Sequence, residues 1–325
     1  MAKAGKRFRR LKRALRRPFE WLGIGLGYLV FTNLTHKGML RVCDFVSAVM
    51  YRFDRKGRDN AHFNLGVMFG SLDPKREELI VRGSYRNMAR AVGHAFWTCR
   101  NAVARARKAG EMSPRGAAFL SANKPAVTVS GHIGCWEILS QLAYLEGHQM
   151  MSVAKDIGTG AMTKLLMKAR MSIGQEIVPA AGAFRPLMAG IKAGKSLGLL
   201  VDQKVKPEDG GVWVRFFGQP VSVSAAPAFF ALKAKAPTIV AWSRPLKDGR
   251  YRCEVINTYT ADDAKDVWGM TQRCLTDLEG VIRRHPGCWV LNYHAFRRTP
   301  KPEGVAKLAE NEAKAAERAA KGVVE

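Results

Sequence analysis

A histidine and a carboxylate stand close together just after a short apolar run. His132 follows the β-rich stretch 127–130, and Glu137 comes five residues later, at the start of an apolar-periodic segment. Inside one helix, five residues at about 100° each would set the two side chains roughly 140° apart. They can converge if His132 lies in a strand-to-helix turn and Glu137 in the first helical turn, with Gly131 and Gly134 supplying backbone freedom.

Such a pair is suited to general base catalysis. A neutral histidine whose second ring nitrogen is held by a carboxylate can accept a proton near neutral pH. No obvious serine or cysteine nucleophile stands at a strained turn beside it, so we predict that His132 acts on a substrate hydroxyl and that Glu137 fixes its tautomer. The spacing alone also fits a satisfied loop histidine beside a helix cap.

The elements around this pair follow a β-α-β order. The strand ending at Ser130 is followed by a predicted helix at 135–146 and a second strand at 149–154, which indicates an α/β sheet flanked by helices. A later apolar strand ends in Asp202 and Gln203. It places two polar groups at the carboxyl edge of the sheet, where α/β folds collect their sites. A helix cap or a loop hydrogen bond is the alternative for these two residues.

The charge of the chain predicts an anionic partner. Its 325 residues include 53 Lys and Arg against 27 Asp and Glu, a formal net charge of +26. Nucleic acid, an anionic membrane surface, a phosphorylated lipid and an acidic carrier protein all fit that charge. Six scattered cysteines without paired spacing indicate free thiols in a reducing compartment, with neither a disulfide framework nor a zinc site.

The ends of the chain differ in composition from its middle. Residues 1–17 form a polybasic arm with nine Lys and Arg. Residues 18–53 form a predicted membrane-anchoring segment, because the apolar run 21–31 is shorter than the ~20 residues of a spanning helix. The positive-inside rule would keep the arm in the cytoplasm. A monotopic anchor does not cross the bilayer, so residues 54–300 would lie in the cytoplasm as well. Residues 301–325 are a charged helical or disordered tail.

The stretch from Ser130 to Glu137, Ser-Gly-His-Ile-Gly-Cys-Trp-Glu, resembles the H-x4-D/E motif of the glycerolipid acyltransferases. It is most similar to the branch of the bacterial lipid A biosynthesis lauroyl and myristoyl acyltransferases, which commonly reads G-H-x-G-N-W-E. His132, Trp136 and Glu137 match, whereas Cys135 replaces the usual asparagine.

Three later blocks follow in the family's order. Arg170 matches an arginine just before a glycine, and a guanidinium suits phosphate or a developing oxyanion. Asp202 and Gln203 match the second block. The F-F-G block comprises Phe216, Phe217 and Gly218, which suit a wall for an acyl chain recognised by apolar burial at about 0.8 kcal/mol per CH₂. A surface arginine and an ordinary apolar core are the alternatives for these blocks.

The family ends with a tryptophan-rich strand that leads to a histidine and an arginine. Trp289 matches the tryptophan of this C-terminal block, but the spacing from it to His294, Arg297 and Arg298 differs from the family pattern by about one residue. Together the blocks span roughly residues 125–300.

The resemblance implies a glycerol-3-phosphate-acyltransferase-like α/β fold over residues 54–300 at the cytoplasmic face of the bacterial inner membrane. It implies acyl transfer from an acyl-carrier-protein thioester to a hydroxyl of a lipid A precursor. His132 would be the general base and Glu137 its partner, with no metal or other cofactor, because a thioester is already activated. The expected partners are the carrier protein, an anionic lipid acceptor and an anionic membrane surface, and no nucleic acid is expected.

Two other functions remain open. The first keeps the chemistry but acylates a lysophospholipid or another glycolipid from acyl-CoA. The second is a non-catalytic basic protein that binds membranes or nucleic acid, which explains the arm and the charge but not the ordered blocks.

Overall fold

The structure is a computed structural model, and it describes residues 25–154, 160–264, 266–297 and 302–321. The predicted polybasic arm, residues 1–17, and the first seven residues of the predicted anchoring segment lie outside the described residues.

The described residues form helices and strands in the mixed order expected of an α/β protein. The helices are α1 (25–33), α2 (His36–Phe53), α3 (Arg55–Phe69), α4 (Pro74–Trp97), α5 (Ala102–Ala109), α6 (Pro114–Ala122), α7 (Trp136–Leu145), α8 (Gly160–Met171), α9 (Phe184–Lys192), α10 (Ala226–Ala234), α11 (Val267–Arg284) and α12 (Pro302–Lys321). The strands are β1 (Gly110–Met112), β2 (Val127–Ser130), β3 (Met150–Ala154), β4 (Glu176–Pro179), β5 (Ser196–Leu200), β6 (Gly211–Phe216), β7 (Gln219–Ser224), β8 (Thr238–Pro245) and β9 (Tyr251–Tyr259).

Seven of these strands form the main sheet, in the order β1-β9-β8-β2-β5-β3-β4. Strands β8, β2, β5, β3 and β4 run parallel, and β9 pairs antiparallel with β8. Strand β2, which leads into His132, is therefore central and has β5 and β8 as neighbours. The end of β2 lies at the carboxyl edge of the sheet, the edge where the sequence predicted Asp202 and Gln203.

Helices cover both faces of the sheet. Alternate residues of β8 show this, since Ile239 and Ala241 pack with α2 and α7, whereas Val240 and Trp242 pack with α10 and α11. Side chains on one strand alternate between the two faces, so a strand buried on both sides is apolar at most of its positions. The prediction of an α/β sheet flanked by helices is confirmed.

The N-terminal helices combine tight packing with an exposed apolar face. Helix α2 packs along α4, and its Asp44 carboxylate accepts hydrogen bonds from Arg90 at 2.8 and 2.7 Å. On its outer side, Phe45 and Phe53 are 71% and 78% exposed. Among the described residues, no helix is both long enough and apolar enough to cross a bilayer.

The hairpin of β6 and β7 is covered by the C-terminal helix. Helix α12 buries Leu308, and its Glu312 forms an ion pair with Arg215 of β6. A second ion pair joins Arg318 of α12 to Asp266 at the start of α11. Of the two structures expected for residues 301–325, a helix or disorder, the described residues 302–321 adopt the helix.

Candidate active site

His132 and Asp202 meet because their strands are neighbours in register. Strands β2 and β5 run parallel with Ser130 opposite Leu200, and each of the two residues lies two positions beyond that pair. The two chains leave the same sheet edge together, so side chains at equal offsets come into contact. The ring Nδ1 of His132 lies 2.8 Å from Oδ1 of Asp202.

The Asp202 carboxylate is buried and surrounded by donors. Its side chain is 1% exposed, and Oδ2 accepts hydrogen bonds from the backbone N–H of His132 at 2.6 Å and from Nε1 of Trp289 at 2.8 Å. Burial raises the pKa of Asp202, but the charge of His132 and these hydrogen bonds more than offset it and hold the pKa below its ordinary value. The carboxylate is therefore ionised at neutral pH.

An ionised carboxylate fixes the tautomer of the histidine. Asp202 can only accept, so the Nδ1 that contacts it carries the proton, and Nε2 of the neutral ring keeps its lone pair. The His132 side chain is 21% exposed, which leaves the ring partly open to solvent. This arrangement is the orienting half of a general base.

Glu137 does not hold the position predicted for it. Its carboxylate forms a two-point contact with Arg170 of α8, with Nε to Oε2 at 2.8 Å and Nη2 to Oε1 at 2.5 Å. The prediction that Glu137 fixes the His132 tautomer is corrected, because Asp202 occupies the Nδ1 side of the ring. Glu137 lies in the first turn of α7, where helical geometry points it toward α8 and the guanidinium offers a matching fork.

Trp136 connects the two carboxylate pairs. Its ring meets the His132 ring edge-on at a centroid distance of 5.0 Å, and its Nε1 donates to Oε1 of Glu137 at 3.0 Å. The Glu137 and Arg170 side chains are 7% and 15% exposed, so their ion pair is largely buried. Burial lowers the pKa of Arg170, but the hydrogen bonds and charge of Glu137 raise it above its ordinary value. The arginine therefore stays charged.

Cys135 is the point where the motif departs from the family pattern. The residue precedes α7, its side chain is fully buried, and it makes no capping hydrogen bond. Burial raises the pKa of the thiol well above its usual value, so it remains neutral. The thiol occupies the asparagine position as a small apolar group.

The two phenylalanines of the F-F-G block lie in the core instead of facing an open cleft. Phe216 and Phe217 are both buried, and both pack against Trp289, with ring centroids at 5.7 and 6.4 Å. Gly218 follows in the turn of the β6–β7 hairpin with φ of 73°, a left-handed conformation that favours glycine. The prediction of an acyl-chain wall is therefore corrected for Phe216 and Phe217, because nearly all of their surface is already covered, whereas Gly218 is exposed in the turn. Gln203, beside Asp202, is partly exposed at the sheet edge.

The C-terminal segment 288–296 packs on the histidine loop. The backbone N–H of Val290 donates to the His132 carbonyl at 3.1 Å, and that of Gly134 donates to the Cys288 carbonyl at 2.9 Å. Ile133 and Trp289 form a single antiparallel bridge. The loop that carries His132 is thus held on one side by this segment and on the other by Asp202.

Four polar side chains of α3 and α4 hold the segment 288–296 in turn, and no role was predicted for them. Each bonds backbone atoms of the segment, and Asn87 Nδ2 also donates to the Gly134 carbonyl at 3.0 Å. The four are Asn60, Asn64, Ser84 and Asn87, with contacts of 2.6 to 3.0 Å. Their signal in the sequence is small polar residues three or four positions apart on otherwise apolar helix faces.

Comparisons with known proteins place the chain in a family. The family model described as "Bacterial lipid A biosynthesis acyltransferase" matches residues 5–298. A comparison with curated proteins finds none that matches this chain. Among solved structures, the chain is similar to the crystal structure of the 1-acyl-sn-glycerophosphate (LPA) acyltransferase PlsC from Thermotoga maritima. The identity is 11% and the TM-score 0.38, over 72% of this chain and 96% of that one. From the extent of the family match, the chain belongs to the bacterial lipid A biosynthesis acyltransferase family and is an acyl-transferring enzyme.

Proposed function

We propose that this enzyme transfers a fatty acyl chain from an acyl-carrier-protein thioester to a hydroxyl of a lipid A precursor, with His132 as general base. The observation that carries the proposal is the ring of His132, whose Nδ1 is held by an ionised carboxylate and whose Nε2 keeps a lone pair. The description of the family supports the lipid A precursor as acceptor.

The proposed chemistry needs one proton acceptor. Nε2 of His132 takes the proton of the acceptor hydroxyl as the oxygen attacks the thioester carbonyl. The tetrahedral intermediate collapses, the C–S bond breaks, and the imidazolium returns the proton to the leaving thiolate. Asp202 stabilises the imidazolium while it exists. General base assistance of this kind contributes about 10²- to 10⁴-fold to the rate.

Glu137 and Arg170 have a different part in the proposal. Their buried ion pair joins the start of α7 to α8 and places the Arg170 guanidinium beside the histidine loop. A guanidinium at this place suits a phosphorylated acceptor, and Gln203 at the same edge suits a hydroxyl. Replacing Arg170 by alanine is expected to raise the KM for the acceptor more than the KM for the donor.

The substrate assignment is tested by offering purified enzyme each donor and each acceptor separately. The donors are an acylated carrier protein and acyl-CoA, and the acceptors are a lipid A precursor and a lysophospholipid. Transfer only from the carrier to the lipid A precursor, lost in His132→Ala and kept in His62→Ala, supports the proposal. His62 is a matched control, because it pairs with Glu77 on the surface.

Other outcomes of the same assay decide between the alternatives. Transfer from acyl-CoA to a lysophospholipid keeps the mechanism and replaces the substrates. Absence of transfer with every pair, together with steeply salt-dependent DNA binding, favours the non-catalytic basic protein.

We also propose that the enzyme lies at the cytoplasmic face of the inner membrane as a monotopic or peripheral protein. The supporting observation is the outer side of α2, where the exposed Phe45, Val49 and Phe53 are bordered by Arg41 and Arg52. An amphipathic helix with aromatic residues and arginines on its outer side suits the interface of an anionic bilayer.

Vesicle sedimentation tests the membrane proposal. Phe45→Asp with Phe53→Asp is expected to reduce binding to anionic vesicles strongly. Val305→Asp, which adds a charge at an exposed apolar position of α12, serves as the control. Equal binding by both variants would contradict a role for α2, and protease accessibility of residues 60–297 from the periplasmic side would contradict the orientation.

A further inference from the structure

The Asp202 carboxylate has a donor that lies 87 positions away in the sequence. Nε1 of Trp289 donates to Oδ2 at 2.8 Å, and this contact is buried. The same carboxylate contacts His132 twice, through the ring at Oδ1 and through the backbone N–H at Oδ2. The indole N–H is therefore the one donor in this set that His132 does not supply.

The indole of Trp289 is itself held from several sides. Phe216 meets the ring edge-on at 5.7 Å, and Phe296 lies at 6.3 Å. The Trp289 carbonyl accepts a hydrogen bond from Oγ of Ser84 at 2.6 Å. Since both the ring and the backbone are fixed, the direction of the N–H is fixed as well.

We propose that Trp289 is a positioning residue of the acyl-transfer site, whose indole N–H fixes the plane of the Asp202 carboxylate and, through it, the ring of His132. This inference rests on the proposed function of His132 as the base. Trp289 does not touch the reacting atoms in this scheme.

Loss of the N–H has two physical consequences. Without its third hydrogen-bond donor, the negative charge of the buried carboxylate is less well stabilised. The Asp202–His132 pair therefore binds its proton more tightly. The carboxylate can also turn about its Cβ–Cγ bond, which releases the ring from the orientation needed for attack. The first consequence moves the acidic limb of kcat/KM to higher pH, and the second lowers kcat.

Trp289→Phe tests the proposal with a matched control. The variant keeps an aromatic ring in the cluster and removes the donor together with part of the ring volume, and the control variant Trp268→Phe loses the same volume. We expect kcat to fall about tenfold or more, KM to stay within about twofold, and the acidic limb to move to higher pH. Trp268→Phe loses an indole N–H that donates to the Trp213 carbonyl at 2.9 Å, and we expect its kcat and pH profile to match the wild type.

A double variant shows whether Trp289 acts through Asp202. In an Asp202→Asn background, the further change Trp289→Phe should lower kcat by less than about twofold, because the carboxylate it orients is gone. An equal loss in both backgrounds would show that Trp289 acts only by supporting the core. Wild-type kcat and pH profile in the single variant would also overturn the proposal.

A second substitution covers poor folding of Trp289→Phe. Site-specific incorporation of 3-benzothienylalanine at position 289 replaces the N–H by sulfur at nearly unchanged shape. The same fall in kcat is expected, and full activity of this protein would reject the role of the N–H.

A chemical readout separates this inference from the proposed function. Modification of His132 by diethylpyrocarbonate, followed by peptide mass spectrometry, needs no substrate. Its pH dependence should move to higher pH in Trp289→Phe and stay in place in Trp268→Phe. If the wild type transfers no acyl group, the proposed function fails, while this measurement still confirms or rejects the contact.

Discussion

Two buried carboxylates at one sheet edge differ in the partner that each one holds. Asp202 contacts a histidine, which can gain and lose a proton near neutral pH, whereas Glu137 contacts an arginine, which stays charged. The first pair can therefore move a proton, and the second can only supply fixed charge and join two helices. Burial alone does not distinguish the two acids, since their side chains are 1% and 7% exposed.

The largest expected effect is that of Asp202→Asn. The amide has one acceptor oxygen, which the two donors at the Oδ2 position take, so its NH2 group faces Nδ1. The histidine then loses its tautomer and its counter-charge, and kcat should fall about 10²- to 10⁴-fold. Acyl transfer under saturating substrate measures this. Asp277→Asn, which removes a carboxylate bonded to Tyr259 at 2.7 Å in another part of the chain, should keep activity. A greater loss in Glu137→Gln than in Asp202→Asn would restore Glu137 as the partner of the base.

Glu137→Gln is expected to affect stability more than chemistry. It leaves the buried charge of Arg170 without its counter-ion, which lowers the free energy of unfolding by about 3 kcal/mol. Urea denaturation followed by circular dichroism measures the change. Glu254→Gln breaks the more exposed pair with Arg244 and should lower stability by less than about 1 kcal/mol. Similar values for the two variants would mean that the Glu137 pair gains nothing from burial.

Gly131→Ala should displace the Asp202 carboxylate that contacts His132. A Cβ at this position would lie 3.0 Å from Cγ and Oδ2 of Asp202, so the carboxylate must shift by a few tenths of an ångström. We expect kcat to fall about tenfold, because small displacements of a catalytic group are costly. Gly66→Ala, whose added Cβ meets no atom within 4 Å, is the control with unchanged kcat. Unaltered kinetics in Gly131→Ala would show that the Asp202 position is tolerant.

The smallest expected effect is on how the free energy of unfolding changes with pH in acid. The folded protein holds the pKa of Asp202 below its ordinary value of 3.8, so this carboxylate stabilises the fold above that pH. The stabilisation is lost as pH falls through the lower, folded pKa. The urea midpoints of the wild type and of Asp202→Asn should therefore move closer together as the pH falls from about 5 to about 3. A constant gap would mean that the pKa of Asp202 is not lowered.

The sequence is informative about which residues matter and less so about how they pair. His132 and Asp202 each come shortly after an apolar strand, a pattern typical of residues at the carboxyl edge of a sheet. Their contact depends on β2 and β5 being neighbours in register, which local periodicity does not report. Nearness in sequence favours Glu137 as the partner of His132, whereas Asp202 is 70 positions away.

The apolar blocks illustrate the same limit. An F-F-G run between alternating valines fits either a chain-binding wall or a core, and composition does not separate the two. The packing of Phe216 and Phe217 on Trp289 decides for the core. The polar residues of α3 and α4 lacked any motif, since their partners are backbone atoms more than 200 positions away.

These long-range hydrogen bonds also bear on the order in which parts of the protein can fold. Asn64 bonds the Leu291 carbonyl and Ser84 bonds the Trp289 carbonyl, across separations of 227 and 205 residues. Contacts of such high sequence separation close late, because the entropy of the intervening loop is lost before the contact forms. On the ribosome, the histidine loop therefore gains its final support only after residue 296 has emerged, so an unfinished chain carries His132 without a working site.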